Sequence, residues 1–332
     1  MRLISTTPTS GWCVVCAGLM LQPAATWAQS VGASNYPSRP LRFIVPFPPS
    51  GSNDIIARAL IGKLSDDLRQ PVVVDNRGGA NGIIGTELAA KAPPDGHTFL
   101  IVGNSFTVNP SIYRKLPYDS VRDFAPVSRV GNGNFVLVVH PSVAARSLQE
   151  LIALAKAAPG KLTMASAGVG NTGHLTGELL MSMTGTRFVH VPYKGGGPAI
   201  TELLGGQVSL YFSTVIVALP HIRAGKLRAL AVTGTQRASV APELPTFVEA
   251  GVAGFAVDGW YAMLMPAQTP AAIIARFAQG LQRTLQAADV KQRLASQGLD
   301  TAISTPEELR KLLTHDLAMW AKVVREAGVQ PE

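Results

Sequence analysis

Cysteine is nearly missing from this chain: its 332 residues hold two, Cys13 and Cys16, both inside the amino-terminal apolar stretch. Once that stretch is removed no thiol remains. This excludes a disulfide framework, a thiolate nucleophile and a cysteine metal site, and it suits an oxidising compartment. Long apolar runs are scarce too. The run over 12–21 is shorter than the roughly 20 residues that a bilayer span needs. It follows Arg2 and leads into Pro23-Ala24-Ala25-Thr26-Trp27-Ala28, with small residues at the offsets of a cleavage site, so 1–28 reads as a cleaved secretory signal peptide. Val15 precedes Cys16 where lipid attachment would want a small residue. The mature chain is expected to be soluble and exported.

Catalytic signatures are lacking as well. The six histidines, His97, His140, His174, His190, His221 and His315, show no HExxH or other short metal spacing, and no serine sits in a GxSxG elbow. No metal, no cofactor and no catalytic residue is expected. The formal charge is +8, but lysines and arginines occur singly, without the clustered stripe and interleaved aromatics of a nucleic-acid surface. A nucleic-acid partner is therefore not expected, and the positive field is a modest attraction for anionic solutes.

What the chain does have is an alternation of strand and helix signals, with 47% hydrophobic residues, ample for two cores. Short buried strands read at 41–45, 72–74 and 98–102, separated by helical patterns at 53–68 and 82–91. A second set of strands follows at 135–139, 162–166, 188–191, 208–212 and 227–232, with helices near 148–157, 175–183, 198–204 and 215–224. This is the grammar of an α/β protein with mostly parallel sheets. Beyond the extended stretch 255–263 the chain reads as helical, with Thr269-Pro270 and Thr305-Pro306 opening helices. Such a tail cannot close its own α/β domain, so it packs back on the first sheet. Two lobes result, 36–139 with 258–332 and 140–257, joined by crossings near Val138-Val139-His140-Pro141 and near 254–260, about which one lobe can swing.

Two glycine-rich turns stand out. Ser166, Ala167, Gly168, Val169, Gly170, Asn171, Thr172, Gly173 and His174 run from a strand into an amphipathic helix. Converging amides and the helix dipole make this an anion socket for a carboxylate or phosphate. Gly168, Gly170 and Gly173 also spell GxGxxG. A nicotinamide site needs an acidic residue roughly 20 positions on, and the chain has His190-Val191-Pro192-Tyr193-Lys194 there. The second turn, Pro46-Phe47-Pro48-Pro49-Ser50-Gly51-Ser52-Asn53-Asp54, follows the first strand at the edge where open α/β sheets bind ligands. Ser50, Gly51 and Ser52 offer donors, and Asn53 or Asp54 suits a helix cap. Asn104-Ser105-Phe106-Thr107 and Gly195-Gly196-Gly197-Pro198 lie at the same edge and are weaker signals; Arg77 to Gly82 reads as a structural turn.

With those loops in place the chain resembles the substrate-binding proteins of the tripartite tricarboxylate transporters, the Bug receptors. The likeness covers nearly all of the mature chain. It is carried by Tyr36-Pro37-Ser38-Arg39-Pro40, by 45–58, by Pro94-Asp95-Gly96-His97, by Leu116-Pro117-Tyr118-Asp119, by 166–174, by 190–199 and by 227–233. The resemblance implies a periplasmic binding protein of the two-crossover type (type II), most simply a monomer. It would close on a small mono-, di- or tricarboxylate and deliver it, unaltered, to a permease of one large and one small membrane subunit. It implies that one carboxylate meets 166–172, while 48–53 and 104–107 hold the rest from the opposite lobe. Ser50 departs from the family's glycine, adding a hydroxyl and restricting the backbone. Ser209 and Ser213 stand where the family has aspartates. If Ser213 faces the cleft, losing that charge favours a more anionic ligand or disfavours an amine-bearing one. The candidate ligand-binding set is thus Pro48, Pro49, Ser50, Gly51, Asn53, Asn104, Ser105, Thr107, Ser166, Ala167, Gly168, Gly170, Asn171, Thr172, His174 and Ser213. A ligand sensor for a signalling pathway remains open beside transport, and a secreted α/β hydrolase is disfavoured by the missing motifs.

Overall fold

A computed structural model describes Met1, Leu3 and residues 35–326. Apart from Met1 and Leu3, the expected signal peptide, with Cys13 and Cys16, lies outside the described residues. The first sheet is built from β1 (Leu41–Val45), β2 (Val72–Asn76), β3 (Thr98–Gly103), β4 (Phe124–Asn132), β10 (Trp260–Pro266) and β11 (Asp300–Thr301), in the spatial order β11-β4-β10-β3-β1-β2. The second is built from β5 (Phe135–Val139), β6 (Thr163–Ser166), β7 (Val189–Pro192), β8 (Leu210–Thr214) and β9 (Arg228–Val232), in the order β7-β6-β8-β5-β9.

Each sheet has a parallel half and one guest. β1 runs parallel to β2 and β3, and β6 to β7 and β8. Helices lie along these parallel strands, which therefore read as continuous apolar runs rather than alternating ones; Phe43, Ile44 and Val45 are all fully buried. In the first sheet the antiparallel strand between β3 and β4 is β10, which arrives from the second sheet. In the second sheet β5, arriving from the first, runs antiparallel between β8 and β9.

The two passages between sheets therefore fall at Gly133-Asn134 and at Asp258-Gly259. The second lies within the stretch 254–260. The first precedes its expected place at Val138 to Pro141, because Phe135–Val139 is a fully paired, buried strand of the second sheet. The passages touch: the Gly133 amide donates to the Gly259 carbonyl at 3.0 Å, and a Cβ on Gly259 would collide with the Gly133 carbonyl. Only glycine lets the two backbones lie this close.

The connecting helices are α1 (Ser52–Leu68), α2 (Ile83–Ala90), α3 (Ser105–Ile112), α4 (Leu148–Ala157), α5 (Thr172–Thr184), α6 (Gly196–Leu204) and α7 (Val215–Arg223). The tail forms α8 (Ala271–Gln286), α9 (Ala288–Ser296) and α10 (Pro306–Glu326). On α8 the buried Ile273, Phe277, Gly280, Leu281, Thr284 and Leu285 recur every three or four residues, the stripe of an amphipathic helix. That stripe lies on α1, and α10 lies on α3 and β4, so the tail returns to the first sheet. Trp320 and Val324 of α10 also join the apolar cluster of Leu175 and Leu180 on α5.

Two elements escape the pattern reading. β4 carries Pro126, Ser128, Arg129 and Gly131, which break any alternation. α3 contains Pro110, and an interior proline removes one helical hydrogen bond. The carbonyl left over is that of Phe106, four residues back, and the Ser120 hydroxyl donates to it at 3.3 Å.

Candidate functional site

Between the carboxyl ends of the two sheets lies a cavity of about 70 Å³, room for roughly five water molecules and so for a compact solute. Its wall is made of helix beginnings. From the first sheet come Ser52 of α1, Gly82 before α2, and Asn104 and Ser105 at the start of α3; from the second come Asn171 and Thr172 of α5, Gly196 of α6 and Thr214 before α7. In five of these six helices, all but α5, no side chain caps the first turn. Each helix start carries amides without intrahelical partners and about half a positive charge.

Among the described residues, none lining the cavity is Asp, Glu, Lys, Arg or His. The polar wall consists of amides, hydroxyls and phenols. Asn53, 4% exposed, aims a carboxamide whose Nδ2 is buried without a protein acceptor, a donor left over for a guest. The Tyr261 hydroxyl lies beside the Ser52 and Thr214 hydroxyls, one from each side of the cleft, and burial pushes its pKa up to about 12. Burial raises Tyr211 too, with the neighbouring Tyr261 phenol adding to the effect. Both phenols stay protonated at neutral pH and can donate.

Charged groups stand behind this wall. Asp54 accepts from the Ser50 amide at 3.0 Å and from Asn76 and Arg58, so it shapes the 48–53 loop from beneath. Burial opposes its charge, but these donors outweigh it and lower its pKa. Asp316 on α10 accepts from the Trp260 indole at 2.7 Å and from the Thr107 hydroxyl at 3.1 Å; burial raises its pKa. Asn104 joins the α3 start to the second passage: its Nδ2 donates to the Asp258 carbonyl, and its Oδ1 accepts from the Trp260 amide.

Of the candidate residues, Gly51, Asn53, Asn104, Ser105, Ala167, Asn171 and Thr172 line the cavity. The others stand outside that lining, for definite reasons. Pro48, Pro49 and Ser50 form the rim, where they meet the Gly195 and Gly197 turn of the opposite side; Ser50 adopts φ 67°, and its amide is taken by Asp54. Thr107 is fully buried on Asp316. Ser166 bonds His190 Nε2 at 2.6 Å, and its hydroxyl accepts from the Gly168 amide. Gly170 abuts Ile112 of α3, and His174 turns its ring under the loop toward the Gly170 amide. Ser213 is fully buried beside the Tyr211 phenol, and the longer tyrosine reaches the cavity instead. Ser209 bonds Thr163 at the far end of β8.

Sequence reading missed Asn81, Asn109, Phe135, Tyr211, Thr214, Trp260 and Tyr261, all of which line the cavity. Asn81 and Asn109 bond each other at 2.8 Å. The one local signal was position: Thr214 ends a strand just before a helix, as the recognised loops do.

Residues 56–329 match the model of the tripartite tricarboxylate transporter family receptor. The chain belongs to this family. BugT of Bordetella pertussis is 41% identical over 305 residues, covering 91% of this chain and 94% of that protein. Among solved structures, R. palustris Rpa4515 with adipate superposes with a TM-score of 0.87 at 32% identity, covering 90% of this chain and 100% of that one. MatC (Rpa3494) from Rhodopseudomonas palustris with bound malate gives 0.82 at 29% identity, covering 87% and 100%. The receptor thus has the fold of a two-lobed periplasmic binding protein, and its cavity is the crevice between the lobes.

Proposed function

We propose that this receptor captures a small organic carboxylate between its lobes, leaves it chemically unaltered and hands it to a tripartite permease after export by its leader. The observation that carries this reading is the cavity wall: six helix beginnings, a buried Asn53 donor without a partner and, among the described residues, no charged side chain. Such a wall suits an anion. Hydroxyls and amides meet it without a fixed counter-charge, which favours a guest that must later be surrendered. With three helix beginnings on each lobe, a solute with a carboxylate at either end engages both lobes and raises the closed population. Relatives solved with adipate and malate support that class. Catalysis would need a base to activate a hydroxyl or water against the guest, and among the described residues the titratable groups of the lining are phenols held protonated.

A thermal-shift series with mono-, di- and tricarboxylates tests the reading, because a ligand bound only by the native state raises the melting temperature with its concentration. Adipate or another dicarboxylate should shift the melt and be recovered unchanged, while its dimethyl ester should not shift it. A shift by the ester equal to that of the acid contradicts the proposal.

A further inference from the structure

Beneath the 166–172 loop is a group of side chains that the cavity wall does not include. His174, 7% exposed, stacks on His190 with ring centroids 3.8 Å apart and planes 14° from parallel. His174 Nδ1 accepts from the Gly170 amide at 3.1 Å. Its other nitrogen, Nε2, lies 3.3 Å from the Glu178 carboxylate, one helical turn along α5. These partners fix the proton: Nδ1 must carry a lone pair, and Nε2–H points at Glu178. Gly170, held in this way at φ 67°, is also where the loop abuts Ile112 of the opposite lobe.

We propose that His174 is the positioning residue of the lobe-2 socket. In its neutral Nε2–H form it pins the Gly170 amide, and through it the shape of the loop that presents the α5 beginning to the ligand and meets Ile112 on closure. A proton on Nδ1 removes the only acceptor of that amide and frees the loop, so ligand is held less tightly as the medium acidifies. Among the described residues, the titratable groups facing His174 are Glu178 on its own helix and His190 on β7; β6 contributes the Ser166 hydroxyl to His190. His190 cannot take the proton instead. Burial, and next the adjoining His174, push its pKa down to about 4, and two imidazoles in stacking contact do not both charge readily.

This inference rests on the cleft being a carboxylate site, and its test separates the two. Adipate affinity is measured by calorimetry between about pH 7.5 and about pH 5, the range in which a histidine titrates, beside ring and amide nitrogen shifts of the ligand-free receptor. Wild type should lose about tenfold or more in affinity across that range. His174→Asn places Oδ1 where Nδ1 was and cannot titrate. Whatever its affinity at neutral pH, it should lose the acid dependence, which also controls for titration of adipate itself. The nitrogen shifts should show the Nε2–H tautomer and a Gly170 amide that titrates with His174. Equal pH dependence in wild type and His174→Asn, or an Nδ1–H tautomer, overturns the inference. If adipate fails to bind at any pH the ligand reading fails, and the nitrogen shifts still decide the role of His174.

Discussion

Replacing Gly197 by valine should weaken ligand binding without harming the fold. Gly197 is in the first turn of α6, and a Cβ built on it stands 3.2 Å from the Pro49 carbonyl and 3.7 Å from Ser50 Cβ, both on the opposite lobe. Its φ lies outside the left-handed region, so no backbone strain accompanies the change, and valine has a better helix propensity than glycine. The two γ-carbons branch directly from the crowded Cβ and leave few rotamers to escape into. Overpacking of this kind costs about 1–3 kcal/mol, and here only when the lobes are together. The dissociation constant should therefore rise by about 5-fold to about 150-fold. Gly197→Ala needs only a shift of a few tenths of an ångström and should cost less than about 1 kcal/mol, a change of about fivefold at most. Calorimetry with a dicarboxylate reads the affinity, and the ligand-free melting temperature serves as the control. If the valine variant binds as tightly as wild type, the rim of Pro49 and Ser50 does not meet Gly197 in the bound receptor, and the closure argument is wrong.

Asn53→Ala removes a donor that has no protein partner, so ligand-free stability should change by less than about 1 kcal/mol, whereas losing a hydrogen bond to a charged ligand costs about 1.5–3 kcal/mol in affinity; paired melting and calorimetry separate the two. Asp316→Asn keeps an acceptor for the Trp260 indole and Thr107 hydroxyl without a buried charge. Burial raises this carboxyl's pKa, so ionising it at neutral pH opposes folding. The asparagine variant should match or exceed wild-type stability at pH 7 in urea melts, while Asp316→Leu, which strands the Trp260 indole although Thr107 can still donate to the Asn104 carbonyl, should lose about 1–3 kcal/mol. His190 is half-buried and titrates near 4 rather than 6.5, so the unfolded chain binds the extra proton first. Stability is full above about pH 6.5 and declines as the pH falls toward about 4, by ~1.5–2 kcal/mol after allowing for partial exposure. His190→Gln should flatten that slope in acid melts. Ser50→Gly should leave affinity within about twofold, since the Ser50 hydroxyl is on the rim and its amide is held by Asp54; a larger change in calorimetry would put Ser50 against the ligand.

The sequence showed where helices begin far better than which side chains face the guest. Gly51, Asn104, Ala167 and Asn171 were legible because a glycine, asparagine or serine cluster between a strand and a helix has a local cause. Tyr211 and Tyr261 were not, because a tyrosine in an apolar strand looks like core until a second strand, here one from the other sheet, sets it at the cleft. Ser213 misled in the opposite way: it shares a strand face with Tyr211, and the longer phenol covers it. Pro126 and Pro110 hid β4 and α3, and the Ser120 hydroxyl that takes up the carbonyl freed at Pro110 lies beyond the helix that a local window covers. With β4 hidden, the first crossing could only be placed after the recognisable strand 135–139 instead of before it.

Uncharged donors at helix beginnings should hold a carboxylate where the lobes meet. A crystal structure with adipate tests it most directly. Carboxylate oxygens should lie about 3 Å from Asn53 Nδ2 and from first-turn amides on both lobes, with the solute intact and His174 still beneath the loop. A ligand seated outside this crevice, or gripped there by an arginine or lysine side chain, would contradict it.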